Sequence, residues 1–260
     1  MQIHILASGS TGNAIYLNMG NTHLLVDAGI STRRVERGLA ELGVRVSDLD
    51  GVLITHEHQD HIRGLEVLLK KYRLPVYTRR ATWEAIPGWQ AFPQESWRRV
   101  TREFSIKDVD VETFRISHDA ADPVGFCFYH ARRKWVIATD LGVINPAAEK
   151  ALAWADLVVL EANHDLDMLA NGPYPRFLKQ RILGQQGHLS NLAAGEVLGR
   201  IPRRDRMEVF LAHLSQHNNR PELARETVSK LLSDKGCQVG EEVALHLTYP
   251  DQRCGLCLTR

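Results

Sequence analysis

Nothing in the chain stays apolar long enough to cross a bilayer: its longest uninterrupted apolar stretches, such as the one ending at Leu160, fall far short of the ~20 residues a spanning helix needs. A surplus of one charge is missing too. With 32 Lys+Arg against 31 Asp+Glu the formal net charge is +1, which excludes a polybasic nucleic-acid coat and an acidic disordered tail while leaving room for a local basic groove. Cysteine is scarce. Four in the whole chain are too few for a disulfide framework. The one close pair, Cys254 and Cys257, lies in the alternating tail RCGLCLTR without two further ligands nearby, so it reads as structural rather than as half a zinc site. No repeat, low-complexity tract or Pro/Ser-rich linker divides the sequence, and a single domain over residues 1–260 is expected. The opening MQIHILASGSTGN has no Lys or Arg ahead of its short apolar run and reads as a strand entering a Ser/Gly loop. No secretory signal is expected, and the cytoplasm is the expected compartment.

What is present is an ordinary globular balance, 44% hydrophobic and 24% charged, with twelve histidines. Ile3 to Leu6, Ala14 to Asn18 and His23 to Asp27 read as strands punctuated by Gly9, Gly12, Gly20 and Asn21. The period then changes: Val35, Leu39 and Leu42 fall at helical spacing, with Ser31 as N-cap and Gly43 as stop. Gly51 to Thr55 is apolar throughout and reads as a strand buried on both faces. A polar loop follows, then a helix through Leu65, Leu68 and Leu69 that ends before Pro75. Strands are expected at Val109 to Ile116, Phe126 to His130, Trp135 to Asp140, Leu157 to Ala162, Val209 to His213, Val243 to Leu247 and in the tail, with helices from Leu189 to Ile201 and Pro221 to Leu232. Residues 78 to 106 read as the longest connection. Strand-rich halves that each supply helices predict an α/β sandwich, two sheets face to face with helices outside and the chemistry in loops at one edge.

The loop after the Gly51 to Thr55 strand reads His56-Glu57-His58-Gln59-Asp60-His61. A string H-x-H-x-D-H arises by chance in only about one or two chains per thousand of this composition. In extended backbone, residues two apart point the same way, so His56 and His58 can close on one ion; Asp60 shares their parity and His61 faces a second position as the chain turns. Imidazoles with a carboxylate suit zinc, manganese or iron, whereas magnesium and calcium bring more oxygen ligands. One loop cannot fill two coordination shells. Three further candidates stand where apolar runs stop: His118 after Ile116, Asp140 at the end of WVIATD, and His213 at the end of VFLAH.

The strings THEHQDH, SHD at His118, ATD at Asp140 and AHLS at His213 resemble the metallo-β-lactamase fold superfamily of dinuclear metallohydrolases, from residue 3 to about residue 250. Position by position, the resemblance implies two divalent metal ions, zinc or manganese. One is held by His56, His58 and His118 and the other by Asp60, His61 and His213, with Asp140 bridging. Asp27, in LLVDAG, matches the superfamily's buried aspartate that orients the metal loop. Oxygen-reducing di-iron members carry Glu where this chain has His58, so hydrolysis is favoured over redox chemistry. Two such ions would lower the pKa of a bridging water from 15.7 toward ~7 and stabilise developing negative charge.

The superfamily cleaves thioesters, lactones, β-lactams and phosphodiesters, so neighbouring residues must choose among them. Glu161-Ala162-Asn163-His164 resembles the Glu-Ala-Thr segment of the tRNA 3′-end-processing branch, and His188 in GHLSN falls where that branch has its acid. By that analogy Glu161 polarises His188, His188 protonates the leaving oxygen and Asp60 completes the chemical set, whereas the plain reading of His188 is a helix-start residue binding backbone. LASGSTGN at 6–13, EANHD at 161–165, GPYPRFLKQRI at 172–182, GHLSN and AHLSQHNN are similar to the YycJ/WalJ-type bacterial branch. This resemblance implies 5′ to 3′ exonuclease action on DNA ends and a link to mismatch repair. Ser8, Ser10, Thr11 and Asn13 read either as an anion-binding nest for a terminal 5′ phosphate or as a hairpin turn. Arg176, Lys179, Ser190 and Asn191 are further candidates for phosphate contacts, and His164 is a substrate candidate outside the metal ligands. The pairs Arg79-Arg80 and Arg98-Arg99 around Trp83, Trp89 and Trp97 read either as phosphate contacts with base-stacking rings or as a solvated surface over core tryptophans. RNA or small phosphodiesters remain alternative substrates, as do thioesters or lactones for a glyoxalase II-like enzyme. No pattern commits the chain to an oligomeric state, and no membrane partner is expected.

Overall fold

Three strands open the chain, β1 (Gln2–Ala7), β2 (Ala14–Met19) and β3 (Thr22–Val26), paired antiparallel with Ile3 opposite Leu17 and Leu17 opposite Leu24. Almost all their residues are buried, so they read as continuous apolar runs rather than a half-wet hairpin. In helix α1 (Thr32–Ala40) the Ser31 hydroxyl accepts from the Arg34 backbone as N-cap, and Val35 and Leu39 are buried. Then come β4 (Gly51–Leu53), α2 (Gln59–Ile62), α3 (Leu65–Tyr72), β5 (Val76–Thr78), α4 (Arg80–Ala85), β6 (Trp97–Arg99), and the hairpin of β7 (Glu103–Ile106) with β8 (Val109–Arg115). The 78–106 connection is therefore folded rather than open. Its pieces, three to six residues each, are shorter than the window over which a hydrophobic period shows.

Beyond β8 lie β9 (Val124–His130), β10 (Arg133–Ala138), α5 (Pro146–Leu152), β11 (Leu157–Glu161), α6 (Leu166–Asn171), α7 (Arg176–Leu183), α8 (Asn191–Arg200), β12 (Met207–Ala212), α9 (Pro221–Asp234), β13 (Val243–Leu247) and β14 (Cys254–Cys257). The computed structural model describes residues 1–258. These group into two units, one of residues 1–113, 120–123 and the chain from 249 on, the other of residues 114–119 and 124–248. Among the described residues no helix is long and apolar enough to cross a membrane.

The first unit holds a seven-stranded sheet in the order β14-β1-β2-β3-β4-β5-β6, parallel from β3 onward, with Val26 opposite Leu53 and Val52 opposite Val76. Val35, Leu39, Leu65, Leu68, Leu69 and Trp83 from its helices join Leu25, Val52 and Val76 in one buried cluster. The second seven-stranded sheet runs β13-β12-β11-β10-β9-β8-β7, with β10 to β13 parallel. Its cluster joins Val136, Val158, Leu160, Val209 and Leu211 to Leu152, Val197, Leu198, Val228 and Leu232 from the helices. Helices α8 and α9 approach closely at Gly195, where a Cβ would meet Leu231 Cδ1 at 2.6 Å. Parallel strands deliver their C-terminal ends to one side. Asp27 and Thr55 stand just past β3 and β4; Asp140, His164 and His213 stand just past β10, β11 and β12.

Candidate metal centre

In the first unit the histidine loop hangs from one buried carboxylate. Asp27 Oδ1 accepts from Thr55 N at 2.9 Å, and Oδ2 accepts from the Thr55 hydroxyl at 2.9 Å and His61 Nδ1 at 2.8 Å. The Thr55 oxygen in turn accepts from His56 Nδ1 at 3.0 Å. A neutral imidazole whose Nδ1–H is engaged in this way presents the Nε2 lone pair, the tautomer a metal ligand needs. The His56 ring centre lies 4.7 Å from that of His58 and 4.1 Å from that of His61. His58 caps α2, which carries Asp60 and His61. Loop position is enforced by the backbone: Asp60 O accepts from Asn13 N, and His61 O from Ala28 N, both at 2.8 Å. A Cβ on Gly29 would fall 1.6 Å from Asp60 O, so only glycine fits there.

The 8–13 loop serves this scaffold. Asn13 is buried; its Oδ1 accepts from Gly9 N at 2.9 Å, and its Nδ2 lies 3.1 Å from His61 Nε2 and 3.4 Å from Asp60 Oδ2. Ser8 is buried, with its backbone N donating to Tyr249 O, while Ser10 and Thr11 are exposed. Trp83 is fully buried and stacks on Trp97 at 5.9 Å. It therefore belongs to the core and is closed to a nucleobase, because the helix turn at residues 80–85 points the ring inward.

In the second unit the centre of the site is Glu161, fully buried at the end of β11. Its Oε1 accepts from His188 Nδ1 at 2.7 Å and His213 Nδ1 at 2.9 Å, and its Oε2 from Leu141 N at 2.8 Å and Leu189 N at 3.1 Å. Burial alone would raise this carboxyl, but the His188 charge and the two imidazole hydrogen bonds outweigh it and hold Glu161 below the usual carboxylate range. For His188 burial pulls the pKa down, and Glu161 more than offsets it, leaving the imidazole raised. Asp140, Glu161, His188 and His213 each offer a ligand atom within 4.8 Å of the others. His118, lowered chiefly by burial, donates Nδ1 to Gly187 O at 3.3 Å, with Nε2 4.0 Å from Asp140 Oδ1.

Three of these residues are bent into place. Asp27, Asp140 and His213 have φ of +60°, +59° and +55°, a left-handed conformation costing roughly 1–3 kcal/mol at a non-glycine residue and typical of functional strand ends. Sequence reasoning missed Asn163 and Asn219 and gave Asn191 to the substrate; the three tie the second unit's loops together. Asn163 Nδ2 donates to His213 O at 2.8 Å; Asn219 Nδ2 lies 2.8 Å from Ala162 O, and the Asn219 and Asn191 amides meet at 2.9 Å. The signal was the asparagines inside EANHD, GHLSN and AHLSQHNN. Ser190 caps α8 by accepting from Ala193 N at 3.2 Å. His164 is 1% exposed, neither ring nitrogen has a hydrogen-bond partner among the described residues, and burial pushes its pKa down to about 4.

The site is unlike a serine or cysteine nucleophile centre: imidazoles oriented through Nδ1 and strand-end carboxylates form a donor set that fits divalent metal. Fold and donor set together define a metal-dependent hydrolase with the metallo-β-lactamase fold. The chain belongs to the beta-lactamase superfamily, whose domain model matches residues 22–213. It is similar to exodeoxyribonuclease YycJ of Bacillus anthracis, 40% identical over 253 residues and 96% of each chain. It is also similar to exodeoxyribonuclease WalJ of Streptococcus pneumoniae, 38% identical over 252 residues, 95% of this chain and 94% of that one. The structure of the metallo-β-lactamase fold protein YhfI from Bacillus subtilis superposes with a TM-score of 0.72 over 97% of this chain and 98% of that one, at 14% identity.

Proposed function

We propose that the protein is a phosphodiesterase that removes nucleotides from DNA ends in the 5′ to 3′ direction and serves DNA mismatch repair. The observation that carries the reading is the 2.7 Å Glu161–His188 pair, an imidazole whose charged form the carboxylate favours, as a proton donor to an alkoxide leaving group requires; near full-length similarity to two exodeoxyribonucleases supports it. Two divalent ions, zinc or manganese, would be held by His56, His58 and His118 and by Asp60, His61 and His213, with Asp140 shared. Bound there, they would lower the pKa of a water and offset phosphate charge.

The chain's own groups supply the rest. With Nδ1 engaged by Glu161, His188 turns Nε2–H toward the departing 3′ oxygen and gives up that proton as the P–O bond breaks; Glu161 stabilises the charged imidazolium beforehand. Ser10 and Thr11, exposed on a loop held by Ser8 and Asn13, are the proposed contacts for the terminal 5′ phosphate. His164 and Asn191 are buried and Ser190 caps α8, so these three hold the loop that carries His188.

The test is a substrate panel for the manganese- or zinc-loaded protein: linear duplex DNA with 5′-phosphate or 5′-hydroxyl ends, RNA of the same sequence, bis(p-nitrophenyl) phosphate and an acyl thioester. Loss of nucleotides from phosphorylated 5′ DNA ends is expected. Thioester turnover with every phosphodiester untouched would overturn the proposal.

A further inference from the structure

Between Asp167 and Glu196 the sequence contains no carboxylate, yet it carries Arg176, Lys179 and Arg181. This segment also leaves Phe177 72% and Leu183 56% exposed. Helix α7 fully buries only Ile182, so packing does not account for the apolar side chains of Phe177 and Leu183. Phe177 and Arg181, four residues apart, share one flank of the helix. That flank is identified by what Arg181 reaches: its guanidinium pairs with Asp119 at 2.6 Å, next to His118. The backbone fastens this same C-terminal end of α7. His188 N donates to Ile182 O at 2.9 Å, and a Cβ on Gly187 would lie 2.2 Å from that same oxygen. The C-terminal end of α7 is thus tied to the segments that carry His118 and His188, and one turn earlier the Phe177 ring stands exposed. Arg176 has no ion-pair or hydrogen-bond partner among the described residues.

We propose that Phe177 is the platform on which a nucleobase at the DNA end stacks, with Arg176 meeting a flanking phosphate. The inference rests on the phosphodiesterase reading above and names the part of the substrate this surface takes. A flat apolar ring within a cationic, carboxylate-free segment matches a polyanion that presents flat apolar rings. A second copy of the same face would set cation against cation, since a twofold contact pairs a patch with itself.

The test compares wild type, Phe177→Ala and Phe177→Trp on a 5′-phosphorylated duplex with a short single-stranded overhang. Val67→Ala, which trims a 55% exposed apolar residue of the first unit, is the control. Stacking of one base is worth about 5- to 150-fold in binding. Phe177→Ala is therefore expected to raise KM by roughly ten-fold or more with a much smaller change in kcat, while Phe177→Trp restores KM and shows tryptophan quenching when DNA is added under chelator. Unchanged KM in Phe177→Ala, with wild type active on DNA, would overturn the platform. So would unchanged KM with a shift in sedimentation from dimer to monomer, which would make the face a self-association surface. Wild type that turns over bis(p-nitrophenyl) phosphate but no nucleic acid would remove the parent reading, and this one with it.

Discussion

Replacing His188 with alanine takes one donor from Glu161 and leaves three, His213 Nδ1 at 2.9 Å, Leu141 N at 2.8 Å and Leu189 N at 3.1 Å. The buried carboxylate stays satisfied, so the fold should lose no more than about 1.5–3 kcal/mol, the worth of one charge-assisted hydrogen bond. Metal content should not change, because the ring sits beside the proposed ligands rather than among them. The rate should change: losing a general acid costs about 10²- to 10⁴-fold, or roughly 2.7–5.4 kcal/mol in barrier. The decisive assay measures kcat on phosphorylated duplex DNA and on bis(p-nitrophenyl) phosphate. A p-nitrophenolate departs without a proton, so the variant should lose far less on the aryl ester than on DNA. Equal losses on both substrates, or a fall in bound metal, would refute the acid role and make His188 a structural or ligand residue.

Asp27→Asn turns one of the two acceptor oxygens that hold Thr55 and His61 into a donor and should weaken metal binding about 10- to 100-fold, read by chelator competition. Gly29→Ala, whose Cβ would enter Asp60 O at 1.6 Å, should displace the histidine loop and abolish metal binding even if the chain still folds, as circular dichroism beside metal analysis will show. Trp83→Ala should cost about 3–5 kcal/mol of stability by emptying a core site, measured by urea unfolding. His164, held to about 4 against an ordinary 6.5, is neutral in the folded chain and protonates more readily once unfolded. It therefore contributes full stability above pH 6.5, and that contribution drains as pH falls toward 4, by roughly 3 kcal/mol in all. His164→Gln should flatten this slope in unfolding curves taken between pH 7 and 4.5.

The parts of the site that sequence made legible are those where chemistry and local geometry coincide. His56, His58, Asp60 and His61 share one short loop, and Asp140 and His213 stand where apolar runs stop. The strained φ at Asp140 and His213 matches that reading, since a strand end that must turn a ligand back is where strain collects. Trp83 was illegible for the opposite reason. Its helix is six residues long, and whether its ring faces base or core depends on Phe92 and Trp97, which pack against it at 5.6 and 5.9 Å. Asn13 looked like a phosphate contact because small polar loop residues often are; its amide instead bonds Gly9 and lies against His61 across 48 positions of sequence. The exposed face of α7 shows the same limit, since no pattern of eight residues tells which flank will meet Asp119.

His56, His58, Asp60, His61, His118, Asp140 and His213 are the proposed ligands of two divalent ions. The most direct measurement is metal content per chain after loading with zinc or manganese and gel filtration, by inductively coupled plasma mass spectrometry, for wild type and Asp140→Ala. About two equivalents in wild type, with at least one lost in the variant, is the predicted result. Wild type that retains no metal, or a variant that keeps both equivalents, would contradict the account.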